Sequence, residues 1–123
     1  MKNLTKIITG KKGEDIAVSF LKKKGYRILA TNFRCALGEI DIVAQENGDF
    51  VFIEVKTRKS GALGYPEQAV GIKKQRKISQ VALYYLQVKH LLDANARFDV
   101  VAVTMSGSNQ DITLIKNAFD FIS

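Results

Sequence analysis

Two apolar, β-branched-rich runs, Gly38-Glu39-Ile40-Asp41-Ile42-Val43-Ala44 and Phe52-Ile53-Glu54-Val55-Lys56-Thr57-Arg58, flank the dipeptide Asn47-Gly48. Asn-Gly between such runs is the strongest short-range hairpin signal, because both residues tolerate the positive φ of a type I′ turn. The pattern predicts two antiparallel strands. With Asn47 and Gly48 at the centre of the turn, Glu46 faces Asp49, and counting back sets Asp41 opposite Glu54 and Glu39 opposite Lys56. Side chains alternate with a period of two along a strand, so Glu39, Asp41, Glu54 and Lys56 share one face.

Two carboxylates directly across a ladder repel each other, and the pair calls for something positive between them. A hard divalent cation held by carboxylate oxygens, with open positions for water and phosphate, meets that need. Lys56, on the face of Glu54, is then placed to orient or help deprotonate an attacking water and to offset charge on a phosphorane. The same residues support a plainer reading. Glu39 and Lys56 can form a surface cross-strand ion pair contributing at most about 1 kcal/mol, with Asp41 and Glu54 solvated on an exposed sheet face. A one-residue slip at the turn would move one strand's acids to the other face.

The chain has 123 residues, enough for one core and too few for two, so residues 1–123 are expected to form a single domain. Nineteen Lys and Arg against twelve Asp and Glu give a formal charge of +7. A basic chain that concentrates acids in one hairpin suggests a polyanion, a nucleic acid, held around a cation-binding centre, while solubility alone is the competing account of the charge. No apolar run approaches the length needed to cross a bilayer, and Met1-Lys2-Asn3-Leu4 opens no signal-peptide pattern, so a cytoplasmic protein without a membrane partner is expected. One cysteine, Cys35, forms no internal disulfide, and with the lone His90 it makes no zinc set. Cys35 reads as a packing residue and His90 as a partner of a helix C-terminus.

Residues 1–9 carry little pattern and read as a flexible arm. From Gly13 to Lys24 the residues Ala17, Val18, Phe20 and Leu21 fall at helical spacing, and Gly25 supplies the stop. Glu14 precedes Ala17, Val18 and Leu21 by three, four and seven positions, which puts it at the N-terminal end of the buried stripe, within reach of a site at the sheet edge or acting as a first-turn dipole partner with Asp15. Residues 26–33 read as a strand that completes a three-stranded meander with the hairpin. Residues 57–66 read as a mobile loop leaving the site, with Arg58 and Lys59 at its start, and Pro66 to Ala69 as a helical turn carrying Gln68.

A long helix is expected from Ile72 to His90, because Ile78, Val81, Ala82, Tyr85 and Leu86 recur at core spacing. Lys73, Lys74, Arg76 and Lys77 form a basic ridge suited to phosphates, or a solvated face. The run Phe98 to Thr104, nearly continuous in β-branched and apolar residues, suits a strand buried on both faces and reached by a parallel crossover. Ser106 to Gln110 reads as a turn, Asp111 to Lys116 as a last strand, and Asn117 to Phe121 as a short closing helix.

The order Gly13-Glu14-x-x-Ala17, Gly38-Glu39-Ile40-Asp41, Phe52-Ile53-Glu54-Val55-Lys56-Thr57-Arg58, Pro66-Glu67-Gln68-Ala69-Val70, Lys74-Gln75-x-Lys77, Tyr85-Leu86 and Arg97-Phe98-Asp99-Val100-Val101-Ala102 resembles the bacterial YraN-type (UPF0102) family. That family is assigned to the restriction-endonuclease-like PD-(D/E)XK nuclease superfamily, and the chain is also similar to archaeal Holliday junction resolvases. The resemblance runs from about residue 10 to the C-terminus. It implies an α/β, restriction-endonuclease-like core: a mixed central sheet, an antiparallel meander plus a parallel crossover strand, flanked by helices. Asp41 matches the first strand acid, Glu54 the second, Lys56 the motif lysine, and Glu14 the helix-borne acid of the resolvases. Ile40 stands where the superfamily's nominal proline would precede the first acid.

The activity so implied is a Mg2+- or Mn2+-dependent endonuclease acting on DNA, with branched or flapped structures as candidate substrates. Asp41, Glu54, the Val55 carbonyl and Glu14 would hold the metal, with Asp41, Glu54, Lys56 and Glu14 as the catalytic set. Arg58, Lys59, Gln68, Lys73, Lys74, Arg76 and Lys77 would position nucleic acid, and a homodimer is the implied assembly. Two other classes stand beside it: a nucleic-acid-binding module of the same fold without turnover, and an interaction subunit whose basic face docks an acidic partner.

Overall fold

The computed structural model describes residues 4–60 and 70–123, with side chains from Gly10 onward. In chain order the elements are α1 (Leu4–Lys23), β1 (Arg27–Cys35), β2 (Gly38–Glu46), β3 (Asp49–Lys59), α2 (Ile72–Val88), β4 (Ala96–Ser106) and β5 (Asn109–Phe119). The strands form one sheet in the order β1-β2-β3-β4-β5, parallel between β3 and β4 and antiparallel elsewhere. This is the α/β class implied by the resemblance: a meander, a crossover strand, and helices on the sheet.

The central strands are apolar on both faces because each face is covered. On one, Ala17 and Leu21 of α1 pack on Ile42, Ala44, Val51, Ile53, Val101 and Val103. On the other, Ile78, Val81, Ala82, Tyr85 and Leu86 of α2 pack on Ile40, Val43, Phe52, Phe98 and Val100. Each such fully buried Leu, Ile, Val or Phe contributes about 1.5–3 kcal/mol before entropy is counted. Gly13 lets α1 approach β3, since a Cβ there would collide with the Thr57 side chain.

The acidic hairpin turns where expected. Asn47 and Gly48 both have positive φ, 51° and 87°, as a type I′ turn requires. Glu46 pairs with Asp49 and Ile42 with Ile53, the register counted from the turn. Each helix ends in a Schellman motif. At α1, Gly25 (φ 95°) takes the left-handed position while the Tyr26 N–H donates to the Leu21 carbonyl. At α2, His90 (φ 58°) takes it, and the Leu91 N–H donates to Leu86. The role His90 plays is therefore in the backbone of the helix stop, and α2 itself ends at Val88.

Three boundary expectations are corrected. The arm expected at 1–9 is helical from Leu4. Leu4, Ile7 and Ile8 do fall at helical spacing, but Gly10 and Gly13, each costing about 1 kcal/mol in a helix interior, hid the continuity. Thr57 to Lys59, read as the start of a mobile loop, belong to β3 and pair in parallel with Val103 to Met105. The rest of that loop, and the turn at 66–69 with Gln68, lie outside the described residues. The closing helix expected from Asn117 is instead the end of β5, because Phe119 pairs with Phe98 and stacks on its ring at 4.9 Å.

Candidate active site

Asp41 leaves β2 and Glu54 leaves β3 at the point where the described β2–β3 pairing stops, one step beyond Ile42 and Ile53. Past that pair, the Val55 N–H donates to Asp41 Oδ2 at 2.8 Å. The two carboxyl groups lie within hydrogen-bonding reach of each other. Glu54 is only 7% exposed, and the Lys74 ammonium, from the first turn of α2, forms an ion pair with its Oε1.

The electrostatics follow from this crowding. Burial, and then the neighbouring Asp41 charge, push the Glu54 carboxyl up to about 7, against the pull of Lys74. Asp41 is also raised, chiefly by burial, with the Val55 N–H, Glu54 and Lys74 acting against it. Glu14 is raised by burial and by the Asp41 charge, while Asn32 Nδ2 donates to its Oε1 at 2.7 Å. Glu14 therefore feels the Asp41 charge from α1. Because α1 begins at Leu4, Glu14 sits well inside the helix, which removes the reading of it as a first-turn dipole partner.

Beside the pair opens a cleft of about 190 Å3 lined by Gly38, Glu39, Lys74, Lys77 and Ile78. Gly38 (φ 146°) lets α2 close on this corner, since a Cβ there would sit 3.3 Å from Val81 Cγ2. Lys56 lies in β3 two residues beyond Glu54, half-buried and on the same face by strand alternation. Arg58 follows on that face, half-buried, and Lys59 is exposed at the strand end. Lys73, Arg76 and Lys77 are exposed on α2.

Two pairings differ from expectation. Glu39 does not face Lys56; its Oε2 accepts from Arg34 Nε at 2.8 Å, because Arg34 is its direct partner on β1. Lys74, read as one of a phosphate ridge, points instead to Glu54. Two crowded acids call for a positive group, and the chain itself supplies Lys74 at Glu54.

The residues fit a hard cation of low protein ligation. Among the described residues no three His, Cys, Asp or Glu side chains converge as a ready ligand set, so Glu14 does not join Asp41 and Glu54 in a closed cage. A magnesium-like ion, which keeps several waters and takes one or two carboxylates plus substrate phosphates, needs only such a pair.

A second polar centre was missed. Asp99, 0% exposed, accepts from Tyr26 Oη at 2.8 Å, from Arg97 Nε at 3.0 Å and from the Asn117 N–H at 2.9 Å. Arg97 also reaches Glu46, which Lys116 pairs at 2.9 Å. The signal was there: an acid inside a doubly buried apolar run demands partners. Among the described residues no helix is long and apolar enough to cross a membrane.

The sequence matches known proteins along most of its length. UPF0102 proteins of Syntrophus aciditrophicus and Caldicellulosiruptor saccharolyticus are 52% and 53% identical to it over 112 residues each. These alignments span 91% and 89% of this chain and 88% and 95% of theirs. Among solved structures, Pyrococcus furiosus SfsA in complex with Ca2+ aligns with a TM-score of 0.38 at 14% identity, over 90% of this chain and 63% of that one. The profile described as "Uncharacterised protein family UPF0102" matches residues 13–103, which takes in Glu14, Asp41, Glu54, Lys56 and the basic start of α2. On that match and those relatives, the chain belongs to the UPF0102 family.

Proposed function

We propose that this protein is a Mg2+- or Mn2+-dependent nuclease that hydrolyses phosphodiester bonds in DNA, with branched or structured DNA as its substrate class. The observation that carries the reading is the convergence of the Asp41 and Glu54 carboxyl groups, within hydrogen-bonding reach of each other, beside the basic start of α2. A fold selected only for stability would not bury two carboxylates against each other with one lysine between them.

In this reading Asp41 and Glu54 hold the cation, with the Val55 carbonyl as a third donor and Glu14 acting through water. When bound, the ion would neutralise the pair, polarise the scissile phosphate and lower the pKa of a water. The chain's own groups do the rest. The Val55 N–H fixes the Asp41 carboxylate, leaving its other oxygen for the site. Lys56 orients the nucleophile and offsets negative charge as the phosphorane develops. Lys73, Arg76 and Lys77, with Arg58 and Lys59, hold the backbone in register, since phosphate contacts position a strand without reading its bases. Gln68 belongs to this set from the sequence alone. The α2 N-terminus, with no side-chain cap at Gly71 and no acid in the first turn, is an end suited to an anion.

Nicking of branched, single-stranded and duplex DNA with Mg2+ or Mn2+ tests the proposal. Wild type cuts at least one form, and Asp41→Ala and Lys56→Ala each lose about 100-fold or more, the scale of a group acting on the transition state. Equal activity in wild type and Asp41→Ala, or none on the whole panel, would overturn it.

One observation favours a second reading: the Lys74–Glu54 ion pair neutralises one of the two acids without any metal. A binding-only module of this fold would keep that pair permanently. It predicts salt-dependent DNA binding unaffected by Glu54→Gln and no heat on titration with Mn2+.

A further inference from the structure

Lys74 sits in the first turn of α2, where the helix dipole is positive and no acidic residue offsets it. A cation there is electrostatically disfavoured. It is held because Glu54, and behind it Asp41 and Glu39, present negative charge to it. Its own side chain is still 47% exposed, and it lines the open cleft together with Lys77 and Glu39. The ammonium thus has two destinations: inward to Glu54, or outward to the cleft beside Lys77.

Resting on the metal-centre reading above, we infer that Lys74 is an exchangeable occupant of the acidic pair: it competes with the divalent cation for Glu54, and once displaced it joins Lys77 in holding the phosphate backbone. Glu54 keeps one neutralising partner throughout, Lys74 before the cation enters and the cation afterwards. The carboxylate never faces Asp41 unscreened. Displaced, Lys74 is pushed from the helix N-terminus and from the arriving positive charge in the same direction, toward the cleft. By linkage, a phosphate chain that takes Lys74 outward opens the carboxylate to the cation, so nucleic acid and cation each tighten the other's binding.

The size of the effect follows from occupancy. If Lys74 covers Glu54 in about nine molecules of ten, the apparent dissociation constant of the cation is raised about tenfold over that of an open site. Removing the ammonium removes that handicap. Calorimetric titration of the full chain with Mn2+, at constant pH and ionic strength, is therefore expected to show about tenfold tighter binding in Lys74→Met, which keeps most of the stem, and in Lys74→Gln. Lys74→Arg, which keeps the charge, stays near wild type, and Glu54→Gln abolishes binding. The thermal shift produced by saturating Mn2+ is larger in Lys74→Met than in wild type, an independent readout in which the folding transition itself reports that the variant is folded.

The outcomes separate the two ideas. Equal Mn2+ affinity in wild type and Lys74→Met, with loss in Glu54→Gln, keeps the metal centre and overturns the exchange. Weaker binding in Lys74→Met also overturns it, because Lys74 would then support the site. No heat and no thermal shift in any of the chains overturns both. Repeating the titration with Ca2+ in the presence of a short oligonucleotide tests the phosphate half: tighter Ca2+ binding in wild type and no change in Lys74→Met supports it, and the same change in both overturns it.

Discussion

The sheet carries two clusters of buried charge, and they are built on opposite principles. At the hairpin-turn end, Asp99 is completely buried yet receives Tyr26, Arg97 and the Asn117 N–H, while Glu46 shares Arg97 with it and adds Lys116. Glu46 is accordingly held below the usual carboxylate range, first by Lys116 and then by Arg97 against the effect of burial. At the other cluster, Asp41 and Glu54 share one backbone N–H and one lysine, and both are raised. A buried acid with its full set of donors is a structural joint. A buried pair left short of positive charge can take up a further cation, and that difference is what supports the proposed site at the second cluster.

The sharpest way to break this contrast is to remove a partner from the satisfied cluster. Arg97→Met leaves Asp99 buried without its cation and is expected to destabilise the fold by about 3–5 kcal/mol in urea denaturation. A loss below 1 kcal/mol would mean that the two clusters do not differ in kind.

Next in size is the pH response without metal. Between about 4.5 and about 7 the folded chain holds a proton on Glu54 that the unfolded chain has released, so stability falls as pH rises through this window. The drop is expected to be about 1–3 kcal/mol, and Glu54→Gln should flatten it. Glu46 acts in the other sense and in another window: its contribution is lost only as pH falls below the ordinary glutamate value of 4.5. Thermal unfolding of wild type and Glu54→Gln from well below pH 4.5 to above about pH 7 reads both signs.

Smaller effects sharpen the geometry around the site. Gly13→Ala should destabilise by about 1–2 kcal/mol despite the helical preference of alanine, because its Cβ would press on Thr57, whose own Cβ is 3.2 Å away. The same change should push Glu14 away from Asp41, which a loss of Mn2+ affinity would register. The least effect is expected at the exposed Arg34–Glu39 pair, where Arg34→Ala should alter stability by less than about 0.5 kcal/mol. A larger loss there would show that the rim of the acidic site is more tightly built than its exposure indicates.

Much of this architecture was legible in the chain because local chemistry and tertiary packing agree. Asn47-Gly48 sets one turn, the turn sets the register, and counting from that register brings Asp41 and Glu54 together. The parallel crossover followed from a strand with no polar face between Phe98 and Val103. What escaped was decided over long range. Lys74 belongs to a helical ridge by spacing, and only the packing of α2 over β3 turns it toward Glu54. Phe119 closes a chain that looks helical, but Phe98 supplies a stacking partner in β4 that spacing alone does not reveal. Arg97 stands just before the apolar run, and its role depends on Tyr26, Glu46 and Asp99 all coming within its reach.

The most direct test is a crystal of the full chain soaked in Mn2+ and measured at an anomalous wavelength. A peak between the Asp41 and Glu54 carboxylates, with the Lys74 ammonium withdrawn toward Lys77, is the predicted result. A soaked crystal with no peak at that position and Lys74 still bound to Glu54 would contradict it, and the acidic pair would have to be read as a closed ion-pair joint like the one around Asp99.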